Sequence, residues 1–226
     1  FWRKRNLYKL ASRIIANSES AKLDAINAFG ISSAKIKVIP NAVKDPRLKA
    51  NTIQNKLVYV GRLHSVKGIK VLIKALAIVK ESFPEILLEV IGGEGEKGIM
   101  LEMLKLQDEL NLEKNIRFVG NKSIYYVLQA FSKAYCSIVP SLYEAFGYVV
   151  IESFSVRTPV IGSNTTGIAE IIEDEVNGLL FEPGNYEELA SKLLKLIDKP
   201  ELRDKLAEQA YYIFLEKYEL NKVVDN

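Results

Sequence analysis

The residues best placed to do chemistry lie between Ile138 and Phe154, in the run Ile-Val-Pro-Ser-Leu-Tyr-Glu-Ala-Phe-Gly-Tyr-Val-Val-Ile-Glu-Ser-Phe. Two acids, Glu144 and Glu152, flank Gly147. An apolar run over 135–139 ends at Pro140, and from Tyr148 onward apolar side chains recur at helical spacing, which predicts strand, loop and helix with Gly147 at the turn. A glycine there lets a ligand approach the backbone, and the free amides of the helix's first turn carry the positive end of its dipole. The result is an anion site bracketed by carboxylates, with Glu152 roughly 6–8 Å along the helix at ~1.5 Å per residue. A phosphate-linked ligand with hydroxyls at both ends would suit it. Taken alone, the same acids would fit a helix-start acid and an exposed helix acid, so the other groups decide.

Val60-Gly61-Arg62-Leu63-His64-Ser65-Val66-Lys67-Gly68 leaves one strand and enters a helix. Arg62 offers a planar fork of donors and Lys67 a mobile point charge, a combination able to neutralise a diphosphate leaving group without a metal. His64 reads as a solvent-facing loop residue with no catalytic part. Ile91-Gly92-Gly93-Glu94-Gly95-Glu96-Lys97-Gly98 contains a Gly-x-Gly-x-x-Gly. A dinucleotide site would need an acid at the end of the next strand, where Phe118-Val119-Gly120 stands instead. Glu94 and Glu96 would also repel a pyrophosphate, so nicotinamide and flavin cofactors are not expected. Asn115 to Gly120 reads simply as a strand ending at a glycine.

These groups must be held by a scaffold, and the chain supplies a regular one. Strand-like runs at 57–60, 86–91, 116–119, 135–139, 158–162 and 178–181 alternate with helical patterns near 67–81, 97–110, 123–133, 147–156, 167–173 and 185–197. That alternation, with Val- and Ile-rich strands, predicts an α/β, Rossmann-like parallel sheet of about six strands with helices on both faces. All four candidate motifs fall at carboxyl ends of strands, where such sheets bind ligands. Upstream, Asn17-Ser-Glu-Ser20 caps a helix that stops near Gly30, between short apolar runs ending at Ala16 and Pro40. Residues 1–44 read as the tail end of another domain, 45–56 as a linker, 57–205 as the sheet domain and 206–226 as a C-terminal helix.

The 226 residues, 48% hydrophobic, can bury a substantial core. No apolar run approaches the ~20 residues that span a bilayer. The single cysteine, Cys136, excludes a disulfide framework, fits a reducing cytosol and reads as an inert core thiol. A net charge of +3, dispersed along the chain, does not argue for a nucleic-acid partner. The basic and aromatic residues 1–13 read as an ordinary basic helix, or alternatively as a contact with an anionic membrane surface. The expected location is the cytoplasm, with the inner membrane face as an alternative site of action.

Pro140-Ser-Leu-Tyr-Glu-Ala-Phe-Gly-Tyr-Val-Val-Ile-Glu-Ser153 resembles the signature of the retaining glycosyltransferases of family 4, the glycosyl transferases group 1. The match is to their C-terminal, donor-binding domain, one half of a GT-B architecture. The resemblance implies that Glu144 contacts a donor sugar, that Gly147 and Tyr148 in the turn Ala145-Phe146-Gly147-Tyr148 meet a diphosphate, and that Glu152 holds ribose hydroxyls. The Gly61-Arg62 and Lys67-Gly68 pairs resemble the family's phosphate-binding motif, making Glu144, Arg62 and Lys67 the implied catalytic residues. By the same resemblance Gly93 and Gly95 border the donor cleft, and Val119 and Gly120 lie near the nucleobase. Ile14-Ile-Ala-Asn-Ser-Glu-Ser20 and Lys37-Val-Ile-Pro-Asn-Ala-Val43 resemble the end of the family's acceptor-binding domain, the rest of which is expected as a partner. The implied activity is sugar transfer from a UDP-, GDP- or ADP-sugar with retention, without cofactor or metal. A sugar-nucleotide epimerase or phosphorylase of the same architecture, and a non-catalytic nucleotide-binding regulator, remain open as alternatives.

Overall fold

The computed structural model describes residues 10–48, 50–53 and 55–225; the N-terminal basic and aromatic stretch assigned to a helix or a membrane contact falls largely outside the described residues. Six parallel strands form the main sheet: β3 (Lys56–Val60), β4 (Leu87–Ile91), β5 (Ile116–Gly120), β6 (Cys136–Val139), β7 (Val160–Ser163) and β8 (Leu179–Phe181). They follow the spatial order β5-β4-β3-β6-β7-β8. The chain moves outward from β3 through β4 and β5, then returns to add β6 on the opposite side of β3. The β3/β6 junction is therefore the topological switch point, and the crevice beyond its carboxyl ends is where such a sheet accommodates a ligand.

Alternate residues of the central strands feed opposite layers. Leu57 and Tyr59 pack with α2 (Ile69–Ser82) and α7 (Tyr186–Asp198), whereas Val58 packs with Val127 and Phe131 of α4 (Ile124–Lys133). The helix α2 buries Ile69, Leu72, Ile73, Leu76 and Val79, the spacing of one helical face. The α3 helix (Ile99–Glu109) lies on the same side. The helix after β6, α5 (Tyr148–Phe154), is shorter than the helical pattern suggests, and so is α6 (Thr166–Ala169). Phe154, Ile168 and Ile172 are all buried, so the apolar positions continue while the backbone turns toward β7 and β8. After α7 the chain breaks before Pro200, which opens α8 (Pro200–Ile213); a π turn (Phe214–Tyr218) and α9 (Leu220–Val224) follow.

Upstream, β1 (Ile14–Ala16) and β2 (Ile36–Val38) pair in parallel, connected by α1 (Glu19–Phe29). Described residues of the segment read as a linker are held by the domain. Tyr211 donates to Asp45 at 2.9 Å, Arg203 donates to the Thr52 hydroxyl at 2.7 Å, and the amides of Asn51 and Ile53 donate to Ser132 and Lys133. Among the described residues no helix is long and apolar enough to cross a membrane.

Candidate functional site

Two loops meet at the switch point, and a glycine sets how closely. Gly68 closes the turn after β3 at φ +67°, and a Cβ there would stand 1.8 Å from the Pro140 carbonyl oxygen in the loop after β6. The Leu142 amide donates to the Val66 carbonyl at 2.8 Å across the same junction. This fastening places the Lys67 ammonium 2.7 Å from the Glu144 carboxylate, with the Ser141 hydroxyl 3.4 Å from the same oxygen. Both side chains are largely shielded, at 24% and 19% exposure, so their charges act through a medium less polar than water. Below them the buried Tyr59 hydroxyl donates to the Arg62 carbonyl at 3.1 Å. Burial, and secondarily the Glu144 charge, hold that phenol well above its ordinary range.

The Glu144 loop is fixed from its other side as well. Its carbonyl accepts from the Gly167 amide at 3.1 Å, and a Cβ on Gly167 would lie 2.4 Å from that oxygen. Gly167 is thus a site-positioning residue that lies outside the candidate motifs, although a glycine in a helical turn is a signal of close approach.

Gly61, Arg62, Gly93, Gly95 and Gly120 form one rim. The Gly61 amide donates to Ile91, the Leu63 amide to Gly93 and the Gly95 amide to Leu63, each at 2.9 Å, while the Gly92 amide reaches Gly120 at 3.0 Å. Val119 is half-buried beside this rim, against the α4 layer. Glu94 accepts from the Gly98 amide at 2.7 Å, which sets a carboxylate at the start of α3. Glu96 accepts from the Ser65 amide at 2.8 Å, the main cause of its lowered pKa. His64, a loop residue with its side chain 36% exposed, accepts from the Val66 amide at 3.2 Å and so caps the short turn that follows.

On the far side, Gly147 starts α5 at φ +103°. Ala145 and Tyr148 are exposed, but the Phe146 ring turns into the core, edge-on to Tyr148 at 5.5 Å and Tyr218 at 6.2 Å. Any part Phe146 plays toward a ligand therefore belongs to its backbone. Glu152 lines a separate cavity of about 420 Å³ with Val43, Lys44, Asp45, Pro46, Ile124, Leu128 and Ser155. Sequence reading misses the contribution of residues 43–46, which it assigns to the linker and the segment before it.

Burial pushes the Glu152 carboxyl up to about 7. Because the folded pKa is raised, the unfolded chain ionises first as pH rises, so stability is lost between roughly pH 4.5 and 7 and stays lower above that. Glu152→Gln is expected to remove this loss, stabilising the ligand-free protein at pH 8 by about 2–3 kcal/mol and leaving it little changed at pH 4.5. Urea titrations at the two pH values measure it; equal effects at both would refute the assignment.

Comparison with known proteins agrees with the fold and the family resemblance. An uncharacterized glycosyltransferase of Methanocaldococcus jannaschii is 28% identical over 93% of this chain and 57% of its own length. The alpha-D-kanosaminyltransferase of Streptomyces kanamyceticus is 30% identical over 75% of this chain and 43% of its own. The crystal structure of Anabaena Alr3699/HepE in complex with UDP superposes with a TM-score of 0.87 at 25% identity, covering 96% of this chain and 63% of that one. The chain spans about half the length of the curated relatives it matches. The family described as glycosyl transferases group 1 matches residues 42–212, and the chain belongs to that family.

Proposed function

We propose that this chain is the donor-binding half of a glycosyltransferase that moves a sugar from a nucleoside diphosphate to an acceptor, with retention and without a metal. The observation that carries the reading is the Lys67–Glu144 pair, 2.7 Å apart at the switch point, with Arg62 on the same loop as Lys67. When the sugar–phosphate bond breaks, negative charge develops on the departing diphosphate. Arg62 and Lys67 would stabilise it, and they do so more strongly in a shielded site than in water. Glu144 would orient the sugar hydroxyls, and the amides at Gly147 and Tyr148 would meet the phosphates. Glu152 would accept from the ribose hydroxyls in its own cavity. The UDP bound by the Anabaena relative supports a nucleoside diphosphate ligand, and family membership supports sugar transfer. Retention rests on the family resemblance. Metal independence rests on the cationic complement, and an acceptor-side domain is the proposed partner. A cytoplasmic location is proposed from the lone, buried thiol.

Calorimetry with UDP, GDP, ADP and their glucose esters, with and without EDTA, tests this reading. At least one should bind with an affinity indifferent to EDTA, and Arg62→Ala should cost about 1.5–3 kcal/mol of it, the range for a charge-assisted hydrogen bond. Binding only with magnesium or manganese would overturn metal independence. Binding of none would overturn the donor reading.

A further inference from the structure

The first amides of a helix have no partner within it, and in α1 two of them are served from the main domain. Glu170 accepts from the Glu19 amide through one carboxylate oxygen and from the Ser20 amide through the other, both at 2.8 Å. The third amide, Ala21, donates to the Ser18 hydroxyl at 3.0 Å. A carboxylate at this end also complements the helix dipole. Glu170 follows α6 directly, and it lies three residues, about one helical turn, beyond Gly167, whose backbone abuts Glu144 and Phe146. One short, rigid turn therefore touches the Glu144 loop with its first residues and grips the β1–α1–β2 unit with its last.

A second route runs parallel to the first. Phe146 packs edge-on to Tyr218 at 6.2 Å, and the Tyr218 carbonyl accepts from the Val43 amide at 3.0 Å, just beyond β2. The Tyr218 phenol is pushed up to about 12 by burial and then by the Glu170 charge. Phe146, Glu170, Tyr218 and the start of α1 line one cavity of about 330 Å³, so the space between the two units is bounded by the residues that link them.

We propose that Glu170 is a positioning residue that couples the placement of the β1–α1–β2 unit to that of the Glu144 loop, so that a nucleotide sugar seated against Glu144 tightens the hold on α1. The coupling to ligand rests on the donor-binding reading above, whereas the mechanical link does not. A ligand that prefers one placement of the loop must, by linkage, prefer the matching placement of α1. The link also gives the reaction a means of sensing whether the two units are correctly set before sugar and acceptor meet.

Hydrogen exchange on this chain tests it through Glu170→Gln, a substitution at an exposed position that keeps the shape and lowers the charge. Without ligand, the variant should exchange faster by about threefold or more at the Glu19 and Ser20 amides and also across residues 142–150, as a weakened charge-assisted cap coupled to the loop requires. Faster exchange at Glu19 and Ser20 alone would overturn the proposal, reducing Glu170 to a tether. In a second arm, saturating UDP-glucose, GDP-glucose or ADP-glucose should slow the Glu19 and Ser20 amides in the unsubstituted chain and not in Glu170→Gln. A donor that binds by calorimetry yet leaves those amides unchanged would overturn the ligand coupling. If none of the three binds, the donor reading fails, and the ligand-free arm still decides whether the mechanical link exists.

Discussion

Gly68→Ala is expected to destabilise the chain by about 2–5 kcal/mol, with Gly92→Ala similar, because each adds a left-handed-backbone penalty to a collision that nothing flexible can absorb. At Gly68 the φ is +67° and the atom met is the Pro140 carbonyl oxygen at 1.8 Å; at Gly92 the φ is +145° and it is the Gly61 carbonyl oxygen at 1.9 Å. Both obstacles are backbone in the loops that carry the candidate site, so relief requires separating β3's loop from its neighbours. The matched control is Gly30→Ala, where φ is +64° but nothing lies within 4 Å of the new methyl. It should lose only the conformational part, about 1–2 kcal/mol. Urea unfolding followed by far-ultraviolet circular dichroism compares the three. If Gly68→Ala were no worse than Gly30→Ala, the close approach of the two loops would be wrong.

On the proposed donor-binding reading, Glu144→Gln in a glycosyltransferase that carries this segment should lower turnover by roughly two orders of magnitude, the scale for one preorganised polar contact to the reacting group. Affinity for the free nucleoside diphosphate should respond in the opposite sense or hardly at all. In the ligand-free protein Lys67 is shared with Glu144, and a diphosphate must draw donors of the ammonium away from that carboxylate. Removing the Glu144 charge abolishes the competition, a gain of at most about 1 kcal/mol for a pair still partly wetted. Lys67→Met should weaken the diphosphate by about tenfold or more. Steady-state turnover beside calorimetry of the nucleotide separates these effects. Should both variants lose nucleotide affinity equally, the division between a sugar-facing acid and a phosphate-facing base would collapse.

The six sheet strands are legible because each is a short, mostly apolar run, rich in Val and Ile in all but the Leu-Leu-Phe of β8, and bounded by turn residues. The sequence also places Lys67 and Glu144 at strand ends, but their direct contact depends on Gly68 and Pro140 meeting, which no local pattern encodes. Helix ends near the site were harder to read. Apolar spacing continues past Phe154, while the backbone reverses through Arg157 at φ +58°, a conformation not encoded in hydrophobic periodicity. The packed state of Asp45, Asn51, Thr52 and Ile53 is invisible locally for a different reason. Their partners Arg203 and Tyr211 stand far downstream, and a polar segment without periodicity looks the same whether its hydrogen bonds go to water or to a helix. Glu170 belongs to the same class, since its two partners lie at the opposite end of the chain.

Cys136 sits in β6, fully buried beside the switch point, and its thiol is pushed up to about 12 by that burial. At neutral pH the folded thiol is held in its protonated form, whereas the thiolate is the form that reacts with disulfide and maleimide reagents. Since it is the only cysteine in the sequence, every labelling event has a single origin. Modification must wait for the strand to leave the sheet, which makes thiol labelling a clock for whole-domain opening rather than for motion of the loops. Any molecule held by the folded crevice slows such a clock in proportion to its occupancy. The protein thereby carries an internal reporter with which candidate ligands of the crevice can be ranked without an assay of activity.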